Sequence, residues 1–211
     1  SGKVSRITAI SFMIILLTLS LTGAVLLSLE YTSIVASYLV MNILYTLKLK
    51  HISILDISII ATGFVLRIFA GAVIIDVNPS MWIVLVTFLL ALFLALAKRR
   101  DDCLLAGEGM KTRKSIDGYT LEMINLTMIF MATLTVVSYI MYTVSNEVIT
   151  RFGSGKLYLT TAPVIIGILR YMQITFVEEK SGSPTKIVLK DRFLQSVIII
   201  WLISFWLLHS L

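Results

Sequence analysis

Seven apolar stretches, at 7–29, 31–47, 52–75, 80–97, 123–145, 158–176 and 193–211, take up 143 of the 211 residues. Each is 17–24 residues long, which is what a helix needs to cross the hydrocarbon core of a bilayer. Of all the Lys, Arg, Asp and Glu residues, only Asp56, Arg67 and Arg170 fall inside them. Charged residues amount to 14% of the chain, against about 25% in an average soluble domain. That is too little charge to cover a soluble globule. A soluble enzyme, a disordered chain and a secreted disulfide scaffold are all excluded. Cys103 is the only cysteine, so no intramolecular disulfide can form. Backbone groups in lipid must be satisfied within the chain, and only three prolines interrupt the sequence. The expected fold is all-α: a polytopic transmembrane helical bundle forming a single integral membrane domain over 1–211, with 31–47 as its weakest span.

The basic residues set an orientation. With the N-terminus in the cytoplasm, 14 of the 18 Lys and Arg residues lie on inside segments. Only Arg151 and Lys156 lie outside, and Arg67 and Arg170 lie within spans. Positive charge is retained on the cytoplasmic side, so the chain is expected to run from a cytoplasmic N-terminus to an outside C-terminus in the plasma membrane. The inside links at 98–122 and 177–192 are the long ones, and long links between packed elements are usually functional or disordered.

Several constellations could carry chemistry, each with a plainer alternative. Asp56, Ile60, Gly63, Arg67 and Gly71 follow at spacings of three and four, so they share one face of the third span. Ionisable groups in a span face the bundle interior or a wet cavity, and glycines there admit a neighbouring backbone. The face is either the wall of a polar cavity or a structural ion pair with packing notches. The cavity is favoured for Asp56, and a structural pair is at least as good for Arg67. Tyr45 to His51 closes the second span with Lys48 and Lys50, which either anchor the interface or meet a phosphate. Lys98-Arg99-Arg100-Asp101-Asp102, then Lys111-Thr112-Arg113-Lys114-Ser115 and Tyr119, mixes guanidinium and carboxylate groups at a membrane mouth. Such a mixture suits a divalent cation with phosphate, or simply a solvated loop. Arg170-Tyr171 and Lys190-Asp191-Arg192 lie at the same side. His51 and His209 read as interface residues. No Walker sequence, Gly-x-Gly-x-x-Gly or zinc-type His pair occurs.

Taken in order, these pieces resemble the UbiA superfamily of intramembrane prenyltransferases. They are Tyr45-x-x-x-Leu49-Lys50, Gly63-Phe64-x-Leu66-Arg67-x-x-x-Gly71, Ala97-Lys98-Arg99, Arg113-Lys114-Ser115 with Tyr119, Ile168-Leu169-Arg170-Tyr171, and Val188-Leu189-x-Asp191-Arg192-x-Leu194-Gln195. The opening Ser1-Gly2-Lys3-Val4-Ser5 is similar to the family's entry into its third helix. Within the superfamily the likeness is greatest to the branch that acts on decaprenyl phosphate with a phosphoribosyl donor. The resemblance implies nine helices, with an Asn-Asp-x-x-Asp-x-x-x-Asp motif between the second and third. That motif does not occur here, so the chain is expected to hold seven of the nine spans and to lack the first two.

The implied activity is magnesium-dependent transfer of 5-phosphoribose from phosphoribosyl pyrophosphate to a polyprenyl phosphate. By resemblance, Lys50, Lys98, Arg99 and Lys114 would hold phosphates, and Asp102 with Asp101 would meet Mg2+ or the ribose. Asp56, Arg170, Tyr171, Asp191 and Arg192 would complete the substrate-binding mouth. The basic mouth favours a doubly anionic pair of substrates over the first rival, a prenyl diphosphate joined to an aromatic acceptor. The second rival is a transporter or scaffold subunit, for which inverted repeats and broken helices would be expected. The expected partners are the membrane, the polyprenyl phosphate and the sugar donor; no nucleic acid is expected, and a homo-oligomer is compatible with the sequence.

Overall fold

A computed structural model describes residues 5–107, 110, 114–179 and 183–210, with side chains up to Leu208. Ser1 to Val4, Lys111, Thr112, Arg113, Lys180 and the side chain of His209 lie outside the described residues. Among the described residues the chain forms the helices α1 (Arg6–Leu27), α2 (Leu29–Leu47), α3 (Leu55–Ile74), α4 (Met81–Gly107), α5 (Leu121–Val144), α6 (Asn146–Phe152), α7 (Thr161–Phe176), α8 (Pro184–Lys190) and α9 (Arg192–Ser210). Every apolar stretch is helical, as expected of a multi-pass membrane protein.

Small polar residues punctuate the helices. Ser28 ends α1 in extended backbone and then caps α2, its hydroxyl accepting from the Tyr31 amide at 3.0 Å. Thr120 caps α5 through the Met123 amide at 3.1 Å. Oxygen side chains at these positions satisfy amides that have no partner within the helix. Gly153, at φ 68°, ends α6 in the left-handed conformation that glycine adopts without steric cost. Pro184 sits in the first turn of α8, where its missing amide loses nothing. The chain then turns by 87° into α9 at Asp191.

Two expectations need correction. Among the described residues five segments (α1, α3, α4, α5 and Leu157–Phe176) are long and apolar enough to cross a membrane singly, and the bent α8–α9 pair counts as a sixth when taken as one span. The seventh, α2, is a full 19-residue helix, but Glu30, Asn42 and its Ser, Thr and Tyr residues dilute its apolar character. The second correction concerns the mouth. Residues 98–107 were expected in a loop, yet α4 carries on through them to Gly107. Lys98 to Asp102 therefore stand on helical spacing.

α1 to α5 pack in sequence, each against the next, and α7 lies between α5 and α9. The core gathers Phe93, Leu96 and Ala97 of α4, Ile124 and Met128 of α5, Tyr171 and Ile174 of α7 and Leu194 of α9. It lies toward the end where α3 begins and α4 ends. Elsewhere the helices present large apolar side chains outward: α1 buries only Ala24, leaving Phe12, Met13, Leu16 and Leu19 exposed.

Candidate active site

Two polar clusters form at one end of the bundle. The first joins α3, α4 and the turn before α5. Asp56, in the first turn of α3, is fully buried, and Arg99 on α4 is 1% exposed. Arg99 Nε lies 2.7 Å from Asp56 Oδ2, close contact between opposite charges without the alignment of a hydrogen bond. Arg99 Nη1 also donates to Asp102 Oδ2, one helical turn further on. The Tyr119 hydroxyl donates to Asp56 Oδ1 and accepts from the Ile54 amide, both at 2.7 Å. Burial, followed by the bond to Asp56, pushes the Tyr119 hydroxyl well above the ordinary tyrosine range. Ile54 is a β-branched residue at φ 70°, a strained conformation that persists only where its surroundings impose it. Those surroundings include Ser53, whose hydroxyl donates to the Ser115 carbonyl at 2.7 Å. Gly118 lies so close that an added Cβ would come within 2.8 Å of Ser53 Cβ.

The second cluster joins α7 to the bend before α9. Arg170 Nη2 meets Asp191 Oδ2 at 2.5 Å, and Arg170 Nη1 meets Glu178 Oε1 at 2.9 Å and Gln173 Oε1 at 2.8 Å. Asp191 Oδ1 also accepts from the Leu194 amide at 2.7 Å, capping α9. The Arg170 guanidinium holds the Asp191 carboxyl below the usual carboxylate range. Arg100 ties α4 to α5 and α7. Buried on α4 beside Arg99, it donates to the Thr175 carbonyl of α7 at 2.7 Å and to Asn125 Oδ1 of α5 at 3.0 Å.

Of the cavities near these clusters, two lie one on each side of α8. A cavity of about 710 Å³ is lined by Glu178, Ser183, Lys186, Lys190 and Asp191, with Ile174 and Ile187. A second, of about 670 Å³, is almost wholly apolar and runs between α4, α5, α7, α8 and α9 past Phe93, Leu94, Ile168, Val197 and Trp201. Pro184, Thr185, Val188 and Leu189 turn toward the apolar cavity, and Lys186, Ile187 and Lys190 toward the polar one. The seven residues of α8 thus part a charged mouth from a greasy groove. The Tyr171 hydroxyl, buried and without a hydrogen-bond partner, belongs to a residue lining the groove.

This fold has known relatives. The UbiA prenyltransferase family model matches residues 1–197. The chain belongs to the UbiA family. It is 34% identical over 176 residues to a decaprenyl-phosphate phosphoribosyltransferase of Mycolicibacterium smegmatis, covering 80% of this chain and 55% of that protein. It is 27% identical over 203 residues to the Mycobacterium tuberculosis protein of the same name, covering 96% and 66%. The chain thus spans roughly half to two thirds of these relatives' length. A UbiA homolog from Archaeoglobus fulgidus bound to Cd2+ superimposes with a TM-score of 0.69 at 16% identity, over all of this chain and 76% of that one. The same homolog bound to GPP and Mg2+ gives 0.67 at 18% identity, over all of this chain and 73% of that one. The UbiA arrangement of helices is therefore the fold of this chain.

Against that frame the expected site residues divide. Asp56 and Arg99 are not the open cavity wall and free phosphate clamp the sequence suggests; they neutralise each other in the interior. Arg170 and Asp191 also face one another. Lys98, Lys114 and Arg192 are exposed, and Lys50, on the short turn Leu49–His51, is half-buried. Asp101 and Asp102 are half-buried on α4. Among the described residues no three His, Cys, Asp or Glu side chains converge to hold a metal ion, and Arg99 already engages Asp102. Among the described residues α4 offers a magnesium ion the carboxylates Asp101 and Asp102, a number that suffices only with water and substrate phosphate as the other ligands. Sequence reasoning missed Lys186 and the bridging role of Arg100. Lys186 and Lys190 stand four apart on one face of α8, a spacing that becomes meaningful only once that segment is known to be helical.

Proposed function

We propose that this chain forms the larger part of a membrane transferase that moves 5-phosphoribose from phosphoribosyl pyrophosphate to a polyprenyl phosphate. The observation that carries the reading is α8, with its lysines toward a charged mouth and its apolar face toward a groove. A polyprenyl phosphate is built the same way, with an anionic head on a long apolar tail. The tail would lie in the groove and the head would reach the boundary, where the Tyr171 hydroxyl can donate to it. The names of the mycobacterial relatives support this choice of substrates. With the cytoplasmic orientation given by the basic residues, the water-soluble donor meets the mouth directly.

In this reading Lys186, Lys190, Lys98, Lys114 and Lys50 screen the donor's phosphates. A lysine ammonium suits a phosphate as a mobile point charge. Breaking the bond between the sugar's C1 and the diphosphate places growing negative charge on the leaving group, which cations gathered at the mouth stabilise. The lipid phosphate is already an anion, so its attack needs no strong general base. Arg99, Arg170 and Arg100 hold the helices that carry these groups. A divalent ion of the kind bound with GPP in the Archaeoglobus homolog would take water and the donor's phosphates as ligands beside Asp101 and Asp102.

The test is a transfer assay on the purified protein with labelled phosphoribosyl pyrophosphate and decaprenyl phosphate, beside a prenyl diphosphate with an aromatic acceptor. Lys186→Gln/Lys190→Gln should weaken donor use about tenfold to a hundredfold, the value of one or two charge-assisted contacts. Aromatic prenylation without phosphoribosyl transfer, or unchanged donor kinetics in the double variant, would overturn the reading.

A further inference from the structure

Arg67 differs from Arg99, Arg100 and Arg170, the other arginines packed among the helices. Arg99 answers to Asp56 and Asp102, Arg170 to Asp191 and Glu178, and Arg100 to Glu179 at 3.9 Å. Arg67 is in no ion pair among the described residues. It stands on α3 about 18 Å beyond the first residue of that helix, taking 1.5 Å per residue. This places it toward the end of the bundle remote from Asp56. Its guanidinium is nonetheless held. It donates to the Tyr38 hydroxyl and to the Gly63 carbonyl at 3.4 Å, and its Cζ lies 4.9 Å and 5.1 Å from the ring centres of Tyr38 and Phe64. A guanidinium so placed in a membrane without an anion is expensive. Yet its contacts orient it rather than neutralise it.

Arg67 also lines a crevice of about 320 Å³ whose other cation is Arg151 of α6. Arg151 donates to the Asn78 carbonyl at 3.2 Å and meets Glu147, an exposed neighbour on its own helix, at 3.4 Å. The remaining walls include Ile68, Ala72, Ile75 and Ile83, and Phe69, Ile74 and Ile75 are exposed on α3. Two cations from separate helices with apolar walls around them match a phosphate attached to an acyl chain. We propose that this crevice binds the phosphate of an anionic membrane lipid in the leaflet opposite the Asp56–Arg99 cluster. The inference stands apart from the transferase reading and survives its failure.

The protein purified in mild detergent is titrated with phosphatidylglycerol, phosphatidylcholine or inorganic phosphate. Bound lipid is counted by native mass spectrometry, and the thermal midpoint is followed in parallel. Phosphatidylglycerol should be retained at least about tenfold over phosphatidylcholine, the scale of one charge-assisted contact. Arg67→Gln should abolish that preference and Arg151→Gln should reduce it severalfold. Equal retention of the two lipids, or a wild-type preference in both variants, overturns the proposal. Inorganic phosphate raising the midpoint as much as phosphatidylglycerol overturns the lipid as the source of the anion. If Arg67→Gln does not fold, Arg151→Gln and Arg151→Glu decide by the same criterion, because position 151 is exposed.

Discussion

The Arg99–Asp56 and Arg170–Asp191 pairs sit at the same end of the bundle and join the same two residue types, but they are built for different conditions. The Arg99 and Asp56 side chains are 1% and 0% exposed, and a tyrosine hydroxyl and a second carboxylate complete their shell. Arg170 and Asp191 are 20% and 16% exposed, and each lines an open cavity, Asp191 the charged mouth and Arg170 a separate crevice beside Phe193. A buried pair contributes little over a well-packed apolar alternative, yet removing one partner strands a charge in the interior. A pair at the edge of water loses less, because water and salt replace the lost partner. The first therefore fixes how α3 and α4 meet. The second joins α7 to the bend before α9 where solvent can reach it.

The largest effect should follow Arg99→Gln, which leaves Asp56 and Asp102 facing each other without a cation. A loss of about 3–5 kcal/mol is expected, read as a large drop in thermal midpoint or failure to recover folded protein. Asp56→Asn/Arg99→Gln should recover part of that loss, since no unpaired charge is left at Asp56. A double variant as unstable as Arg99→Gln would show that the pair is more than neutralisation.

Tyr119→Phe comes next. It removes the donor to Asp56 and the acceptor for the strained Ile54 amide, at a cost of about 1–3 kcal/mol. The pH dependence sharpens the point. Because the folded state raises the Tyr119 hydroxyl above its unfolded value, its contribution is fully present below the ordinary tyrosine value of about 10. It is lost as the pH climbs through the raised value. Wild type and Tyr119→Phe should therefore differ most at neutral pH and converge only in strong alkali, as followed by thermal midpoint. A constant gap throughout would place the loss in packing rather than in the hydroxyl.

Asp191→Asn should change stability least, and its effect should depend on conditions. The folded state lowers the Asp191 carboxyl, so its contribution is present above the unfolded value of about 4 and disappears as the pH falls through the lowered one. Half-molar salt should shrink the difference between Asp191→Asn and wild type while leaving that between Arg99→Gln and wild type intact. Equal salt sensitivity at both pairs would erase the contrast between them.

How much of this was legible in the sequence follows from what each feature depends on. The helices were legible because spanning segments need long apolar runs, and all seven runs are helical. The end of α4 was not. Counting apolar residues finds where a membrane ends, and Lys98-Arg99-Arg100 and Leu104-Leu105-Ala106 are good helix formers in water as well, enough to carry Asp101 to Cys103 between them. The two polar clusters were legible as a set of residues, since Asp56, Arg99, Arg170 and Asp191 were all singled out. The pairing was not. Arg99 and Arg100 are identical neighbours, but helical rotation sends one to α3 and the other to α5 and α7. The division of labour across α8 was also hidden, because it rests on a bend set by Pro184 and Asp191 rather than on composition.

The Tyr119 hydroxyl and Asp56 are separated by 63 residues of chain, with all of α4 between them, and this has a consequence for biogenesis. When α3 leaves the ribosome, Asp56 carries its charge with no counterpart yet made. Arg99 emerges only as α4 ends, and the Ser53–Ser115 and Ile54–Tyr119 bonds must wait for the turn beyond it. The α3–α4 hairpin is thus the smallest unit that enters the bilayer with this charge cancelled, and the following turn latches it shut. A nascent chain arrested before Arg99 should leave α3 loosely held at the translocon, and one arrested after Tyr119 should have released it.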